Sequence, residues 1–431
     1  MIHDNLSVTE NGHLAFAGRD TVELAQKYGT PVYLMDEERI RQRIRTYKEA
    51  FEAFFPEGSM PEYASKAFSC KSIYRILAEE GINADVVSVG ELYTALKAGF
   101  SAKKCFFHGN DKTDRDIEFA IKHGVGHFVA DSLEEVYSIN KTASDYGIIQ
   151  SILLRVTPGI DPHTHQKIST GSVDSKFGIA LETGQAAEAV KEILSLNHIK
   201  LCGFHCHVGS QVFDSEVFSD AAKIMLTFIK DMKATLGYTA EILNLGGGFG
   251  VRYTENDPTV DYRARIKEIA DTVNSRCDEL GIDVPKIMME PGRSLVADSG
   301  ITLYTVGSVK TIPDYKTYVS VDGGMTDNPR YALYEAKYTV INASKADKTP
   351  DLKAVIAGRC CESGDLIGED VPVATPVRGD ILAVLSTGAY NYSMASNYNR
   401  VPRPPVIMLT KNGEYTAVER ETLDDIIALD K

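Results

Sequence analysis

Apolar residues in the first two thirds of the chain recur in two alternating patterns. Short apolar or β-branched runs are separated by longer stretches whose apolar positions repeat every three or four residues. The short runs predict strands at Val32–Met35, Glu62–Ser65, Asp85–Ser88, Cys105–His108, His127–Ala130, Ile152–Val156, Cys202–Val208, Ile242–Leu245 and Lys286–Met289. Between them, Ser72–Glu80, Glu91–Ala98, Asp114–His123 and Glu216–Leu236 read as amphipathic helices. Strands that alternate with helices imply βαβ units and a parallel sheet. So many units between residues 32 and 295 fit a (β/α)8, TIM-like barrel better than a doubly wound sheet.

The pattern changes after Ser294. Helical periods thin out and strand-like runs follow one another: LYTVGSVKT, TYVSVDGG, AVIAGR, DILAVLST and PVIML. Residues 296–431 therefore read as a second, mainly β domain of Greek-key or β-barrel character, with residues 1–31 and their hairpin-like LSVTENGHLAF completing it. The terminal VERETLDDIIALD reads as one short capped helix. No internal repeat or low-complexity segment interrupts this plan.

Composition narrows the classes. The 46 Lys and Arg against 60 Asp and Glu leave a net charge of -14, which disfavours a nucleic-acid partner, because nothing would replace the counterions around phosphate. No apolar run approaches the ~18 residues of a membrane span, and MIHDNLSVTENGHL has neither the basic start nor the apolar core of a secretory signal. A soluble, cytoplasmic protein is expected. The seven cysteines are scattered without a CxxC pair, so they read as reduced thiols and not as a zinc ribbon or disulfide framework.

In such a barrel, chemistry gathers where strands end. Lys66 closes the strand ending Glu62-Tyr63-Ala64-Ser65, where an amine kept nucleophilic can form a Schiff base. Taken alone, this position favours a solvated strand-end lysine. Gly203-Phe204-His205-Cys206-His207-Val208-Gly209-Ser210 puts two histidines on one face of a strand. No third ligand stands at a supporting spacing, so metal is not expected, whereas an imidazole can stack on a cofactor ring. Leu245-Gly246-Gly247-Gly248-Phe249-Gly250 offers backbone N–H groups to an anion. Val251 replaces the last glycine of the dinucleotide fingerprint, which excludes a Rossmann site. Met289-Glu290-Pro291-Gly292-Arg293 supplies a carboxylate suited to a pyridinium N–H, although a turn with a local ion pair would look the same.

Taken in order, YASKAF, DVVSVGELYTALKAGF, HGNDKT, RVTPGIDPHTHQKISTG, GFHCHVGSQ, LNLGGGFG, EPGRSLVA, VDGGMTDNPRYALY, CCESGD and STGAYNYSMASNYNRVPRP resemble the fold-type III pyridoxal-phosphate-dependent decarboxylases, from about residue 30 to 405. The resemblance implies pyridoxal 5'-phosphate as cofactor, bound by a barrel spanning 32–295, with the β domain completing the active site. It implies Lys66 as the covalent anchor, with Asp85, His207, Ser210, Gly247, Gly248, Glu290, Gly292, Arg293 and Tyr390 around the cofactor. Arg293, Arg330, Tyr334, Glu362 and Tyr390 would meet the substrate, and Cys361 would protonate it. The Cys361–Glu362 pair would cross the interface of a homodimer with shared active sites. Within the family, the detail points to members that convert meso-2,6-diaminopimelate to L-lysine and CO2, the last step of lysine biosynthesis.

Two features depart from the family pattern. Tyr331 replaces the usual proline after Arg330, and Cys360 precedes the expected acid. Decarboxylation of lysine, ornithine or arginine on the same fold is the near alternative, then amino-acid racemisation, then a non-catalytic cofactor carrier. The His-, Thr- and Gly-rich segment 161–173 is a candidate to close over the substrate.

Overall fold

The computed structural model describes residues 1–160 and 175–431, so segment 161–173 lies outside the described residues. The chain divides into two units, one of residues 43–250 and 260–292, the other of residues 1–42, 251–259 and 293–431.

The first unit is a closed parallel barrel. Its strands are β1 (Met60–Ala64), β2 (Asn83–Val86), β3 (Cys105–Phe107), β4 (His127–Ala130), β5 (Gln150–Thr157), β6 (Ile199–His205), β7 (Ile242–Asn244) and β8 (Lys286–Met289). Each pairs in parallel with the next, and β8 returns to β1 through Met288↔Met60, which closes the ring. Caps set where the outer helices begin. Ser88 and Ser132 accept N–H bonds in the first turns of Val89–Lys97 and Leu133–Asp145, and Thr113 forms a capping box with Asp116.

The barrel interior is layered. Met60, Phe106, Val129, Leu153, Cys202, Ile242 and Met288 pack as one apolar cluster, each from a different strand. A strand returns to the same face every two residues. The next inward layer toward the strand ends is therefore Glu62, His108, Asp131, Arg155, Asn244 and Glu290, each two residues beyond a member of the cluster. On β6 the offset is three, from Cys202 to His205, because the register slips between Leu201 and Gly203. An apolar floor thus lies beneath a polar ring.

The second unit is mainly β. Its large sheet runs through Leu366–Val373, Leu352–Ala357, Lys316–Val321, Gly300–Ile312, Val32–Asp36, Val406–Thr410 and Gly413–Val418, and a small sheet holds Leu6–Val8, Leu14–Phe16 and Arg19–Asp20. Here the fold corrects the sequence reading of the first strand. Val32–Asp36 pairs antiparallel with Gly300–Leu303 and parallel with Val406–Leu409, not with barrel strands. All five of its residues are buried, and so short an apolar run carries no mark of which sheet it will join. Leu14, Phe16, Leu34, Leu303, Leu385 and Leu409 lie in this unit's core. Among the described residues no helix is long and apolar enough to cross a membrane.

Candidate active site

Lys66 lies two residues past the end of β1, in the turn Ser65–Ala67, and is exposed while both neighbours are buried. An amine placed so pays little desolvation cost. Its charge lowers the proton affinity of Asp85, Glu91 and Glu290 and opposes protonation of His108, His205 and His207. Groups on or just past β2, β3, β6 and β8 therefore converge on one amine.

Three carboxyl groups are buried beside it. Burial pushes Glu290, Asp85 and Glu62 all above the usual carboxylate range, and Glu290 raises the other two further. Asn244 Nδ2 donates to Glu290 Oε1 at 2.8 Å and to Glu62 Oε2 at 3.2 Å, while its Oδ1 accepts from Gly246 N at 2.8 Å. His205 Nε2 lies 3.0 Å and His108 Nε2 3.2 Å from Glu290 Oε1, though neither contact has hydrogen-bond geometry. Burial holds both imidazoles neutral.

The two histidines of His-x-His do not act together. Strand β6 ends at His205, so the alternation expected to place both on one face stops before His207. His205 meets Glu290, whereas His207 Nδ1 accepts from Gly247 N at 3.2 Å. The further metal-type ligands that spacing lacked come from elsewhere: His108, His205 and Glu290 offer ligand atoms within 4.8 Å of one another. A cation held there would take the carboxylate away from a pyridinium partner.

Beyond β7 the glycines pack where no side chain fits. A Cβ on Gly247 would stand 2.0 Å from Glu290 O, and one on Gly248, at φ +118°, 2.2 Å from Gly209 O. Val212 N donates to Gly248 O and Gly250 N to Val212 O, both at 2.8 Å, which lays the Ser210 turn against the glycine run. Gly292 lies directly against Ala64 and Ala67, which flank the Lys66 turn.

The remaining expected residues belong to the β unit. Arg293 Nη1 donates to Tyr253 Oη at 2.6 Å and its guanidinium faces the Tyr390 ring at 4.6 Å. Buried Arg330 faces Tyr253, Tyr390 and Tyr334 at 5.5, 5.7 and 5.9 Å. Two guanidinium groups thus share the Tyr253 and Tyr390 rings, an arrangement suited to a carboxylate. Cys361 and Glu362 are exposed, and Cys360 is buried with its thiol pushed up to about 11 by burial and by Asp365. Tyr331, at the departing position, bonds Glu369 Oε2 through its hydroxyl at 3.1 Å.

Sequence reasoning missed Glu62, His108, Asn244 and Tyr253. The two-residue period from the apolar floor was the signal available for the first three. Tyr253 had none, because segment 251–259 leaves the barrel for the other unit.

Pyridoxal phosphate needs an amine for its aldehyde, an acceptor for its ring N–H and donors for its phosphate. Lys66 and Glu290 answer the first two needs, and the glycine run the third through Gly248, since the N–H groups of Gly246 and Gly247 are held by Asn244 and His207. Among the buried carboxyls, Asp85 Oδ1 and Glu62 Oε1 lack hydrogen-bond partners, which leaves acceptors for an N–H donor. The residues fit the group.

Comparison with known proteins agrees. Residues 37–297 match the family model described as pyridoxal-dependent decarboxylase, pyridoxal binding domain. The diaminopimelate decarboxylase of Bacillus subtilis (strain 168) is 44% identical over 429 residues, covering 100% of this chain and 98% of that protein. That of Bacillus methanolicus is 48% identical over 412 residues, covering 96% and 95%. The crystal structure of diaminopimelate decarboxylase from M. jannaschii with L-lysine superposes at a TM-score of 0.90 with 38% identity, covering 99% and 98%.

Proposed function

Because this chain belongs to the pyridoxal-dependent decarboxylase family, we propose how its own residues release CO2 from meso-2,6-diaminopimelate and leave L-lysine. The chain is a carboxy-lyase, and the substrate is an amino acid. The observation that carries the reading is the convergence of Lys66 with a buried set of carboxyls beside a side-chain-free glycine cradle.

When bound, pyridoxal phosphate accepts the electron pair left as the bond between Cα and the carboxylate breaks. Lys66 would hold the cofactor through its aldehyde. Glu290 keeps a proton on the pyridine nitrogen, since an ion pair there relieves a carboxylate that burial disfavours. Asn244 orients that carboxylate. Asp85 adds negative charge, and Gly292 lets the Glu290 segment close on the Lys66 turn. His207 takes the ring face, its Nδ1 turned to Gly247 N so that Nε2 carries the proton. Ser210 and Gly248 donate to the phosphate, and Gly247, its own N–H held by His207, lets the run approach closely because it has no side chain.

Arg293, Arg330, Tyr334 and Tyr390 read the substrate's carboxylate and Glu362 its distal amine, the pairing that separates diaminopimelate from lysine, ornithine and arginine. Cys361 returns a proton to the carbon that lost CO2. Cys361 and Glu362 act on the site of a second copy, so the working form is a homodimer with shared active sites. The cytoplasm suits the seven cysteines, all of them free.

The direct test is CO2 release from meso-diaminopimelate, with and without added cofactor, beside L-lysine, L-ornithine and L-arginine. Release from diaminopimelate alone, with lysine as product, is expected. Release only from another amino acid would overturn the roles given to Arg330 and Glu362.

A further inference from the structure

Asp365 is only 2% exposed, yet both of its carboxylate oxygens are engaged. Oδ1 accepts from Met325 N and Oδ2 from Cys360 N, each at 2.6 Å. The carboxylate sits between two glycines, for a Cβ on either Gly324 or Gly358 would stand 2.3 Å from Oδ1. The backbone closes the same loop: Gly358 N donates to Asp365 O at 2.8 Å and Arg359 N to Gly323 O at 2.9 Å. The next amide is held from another segment, as Cys361 N donates to Asn399 Oδ1 at 2.8 Å.

Two N–H groups approaching opposite oxygens require two acceptors. Aspartate supplies them, whereas asparagine would turn its own N–H2 toward one of the donors. The bonds are charge-assisted and shielded from water, which makes them the strong kind. They join the segment carrying Cys361 and Glu362 to the Gly323–Met325 segment that runs on to Arg330.

We propose that Asp365 and Asn399 are positioning residues which, through the successive amides of Cys360 and Cys361, set where the Cys361 thiol is presented to the substrate. This rests on reading Cys361 as the proton donor. In that step CO2 leaves without its bonding pair, the pair takes the Cys361 proton as a new C–H bond, and the thiolate regains a proton from water. A donor displaced by about 1 Å would slow the step about a hundredfold and lose its preference for one face.

The experiment runs the loaded enzyme on meso-diaminopimelate in D2O and locates deuterium on the product carbon that lost CO2. Native enzyme places it in one of the two prochiral positions. Asp365→Asn should lower kcat about a hundredfold and spread deuterium over both positions, with the cofactor Kd unchanged. Asn399→Ala, on an exposed residue, should lower kcat about tenfold with the same spreading, and decides the matter if Asp365→Asn does not fold. Native kcat and labelling in a folded Asp365→Asn, or in Asn399→Ala if that alone folds, overturn the proposal. Cys361→Ala separates the two readings. If it leaves rate and labelling unchanged, the donor assignment itself fails; if it alters both while the positioning variants do not, only the positioning fails.

Discussion

Replacing Gly247 with alanine puts a methyl group where the backbone leaves no room. Its Cβ would stand 2.0 Å from Glu290 O, and ordinary contact begins at 3.4 Å, so one of the two segments must move by about 1.4 Å. The obstacle is a carbonyl at the end of a barrel strand, not a side chain that can rotate away. A shift of that size takes a hydrogen bond of ~2.9 Å beyond 4 Å, which is no bond at all. It would also break the 3.2 Å bond from Gly247 N that orients His207. Each lost bond to a charged phosphate is worth about 1.5–3 kcal/mol. Losing one or two weakens cofactor binding about a hundredfold, at roughly 1.4 kcal/mol per factor of ten. Overpacking costs about 1–3 kcal/mol of stability as well. The assay is absorbance titration of the cofactor-free protein with pyridoxal phosphate, with thermal melts alongside. Gly307→Ala serves as control, since its Cβ would meet only Ser320 O at 3.7 Å. A Kd for Gly247→Ala within threefold of native would refute the assignment of this run as the phosphate cradle.

Other expectations follow from single contacts or groups. Tyr253→Phe removes the acceptor of Arg293 and should raise KM for diaminopimelate about tenfold while kcat changes little; an unchanged KM would detach Arg293 from substrate binding. Lys66→Ala and Cys361→Ala should each be nearly inactive, with Lys66→Ala also losing the borohydride-reducible cofactor link. Mixed under conditions of demonstrated subunit exchange, they should recover partial activity, and no recovery would argue against a shared site. Burial pushes Asp327 up to about 7, so its folded proton affinity exceeds the unfolded one. That contribution is full below the unfolded pKa of ~4 and is lost as pH rises through about 7, roughly 1 kcal/mol between pH 6 and 8. Melting temperature should therefore drop by about 1 °C more across that interval in native protein than in Asp327→Asn, at about 2.1 cal/mol/K per residue over the 431-residue chain. Equal slopes would show that the carboxyl does not titrate there.

The barrel was legible because its two periods are local. Strand runs predicted at Glu62–Ser65 and Lys286–Met289 appear as Met60–Ala64 and Lys286–Met289, and the predicted helix Asp114–His123 appears as Asp114–Lys122 behind its Thr113 cap. Residues at strand ends were legible for the same reason: Lys66 and Glu290 follow runs whose length and composition show where they stop. Their roles came from the family resemblance, not from spacing.

Tertiary structure alone decided the rest. An apolar run of four residues satisfies a barrel or a sandwich equally, and only the partners available to Val32–Asp36 chose the second sheet. Barrel closure brought Glu62, His108, His205 and Asn244 around Glu290, from strands up to 230 positions apart, and a register slip on β6 turned His205 inward. Asp365 lay in the sequence as one acid in a polar loop; its worth depends on two amides and two glycines that meet only when the loops fold together. A chain encodes period and face in its neighbours, but convergence depends on contacts between distant segments, which no local pattern contains.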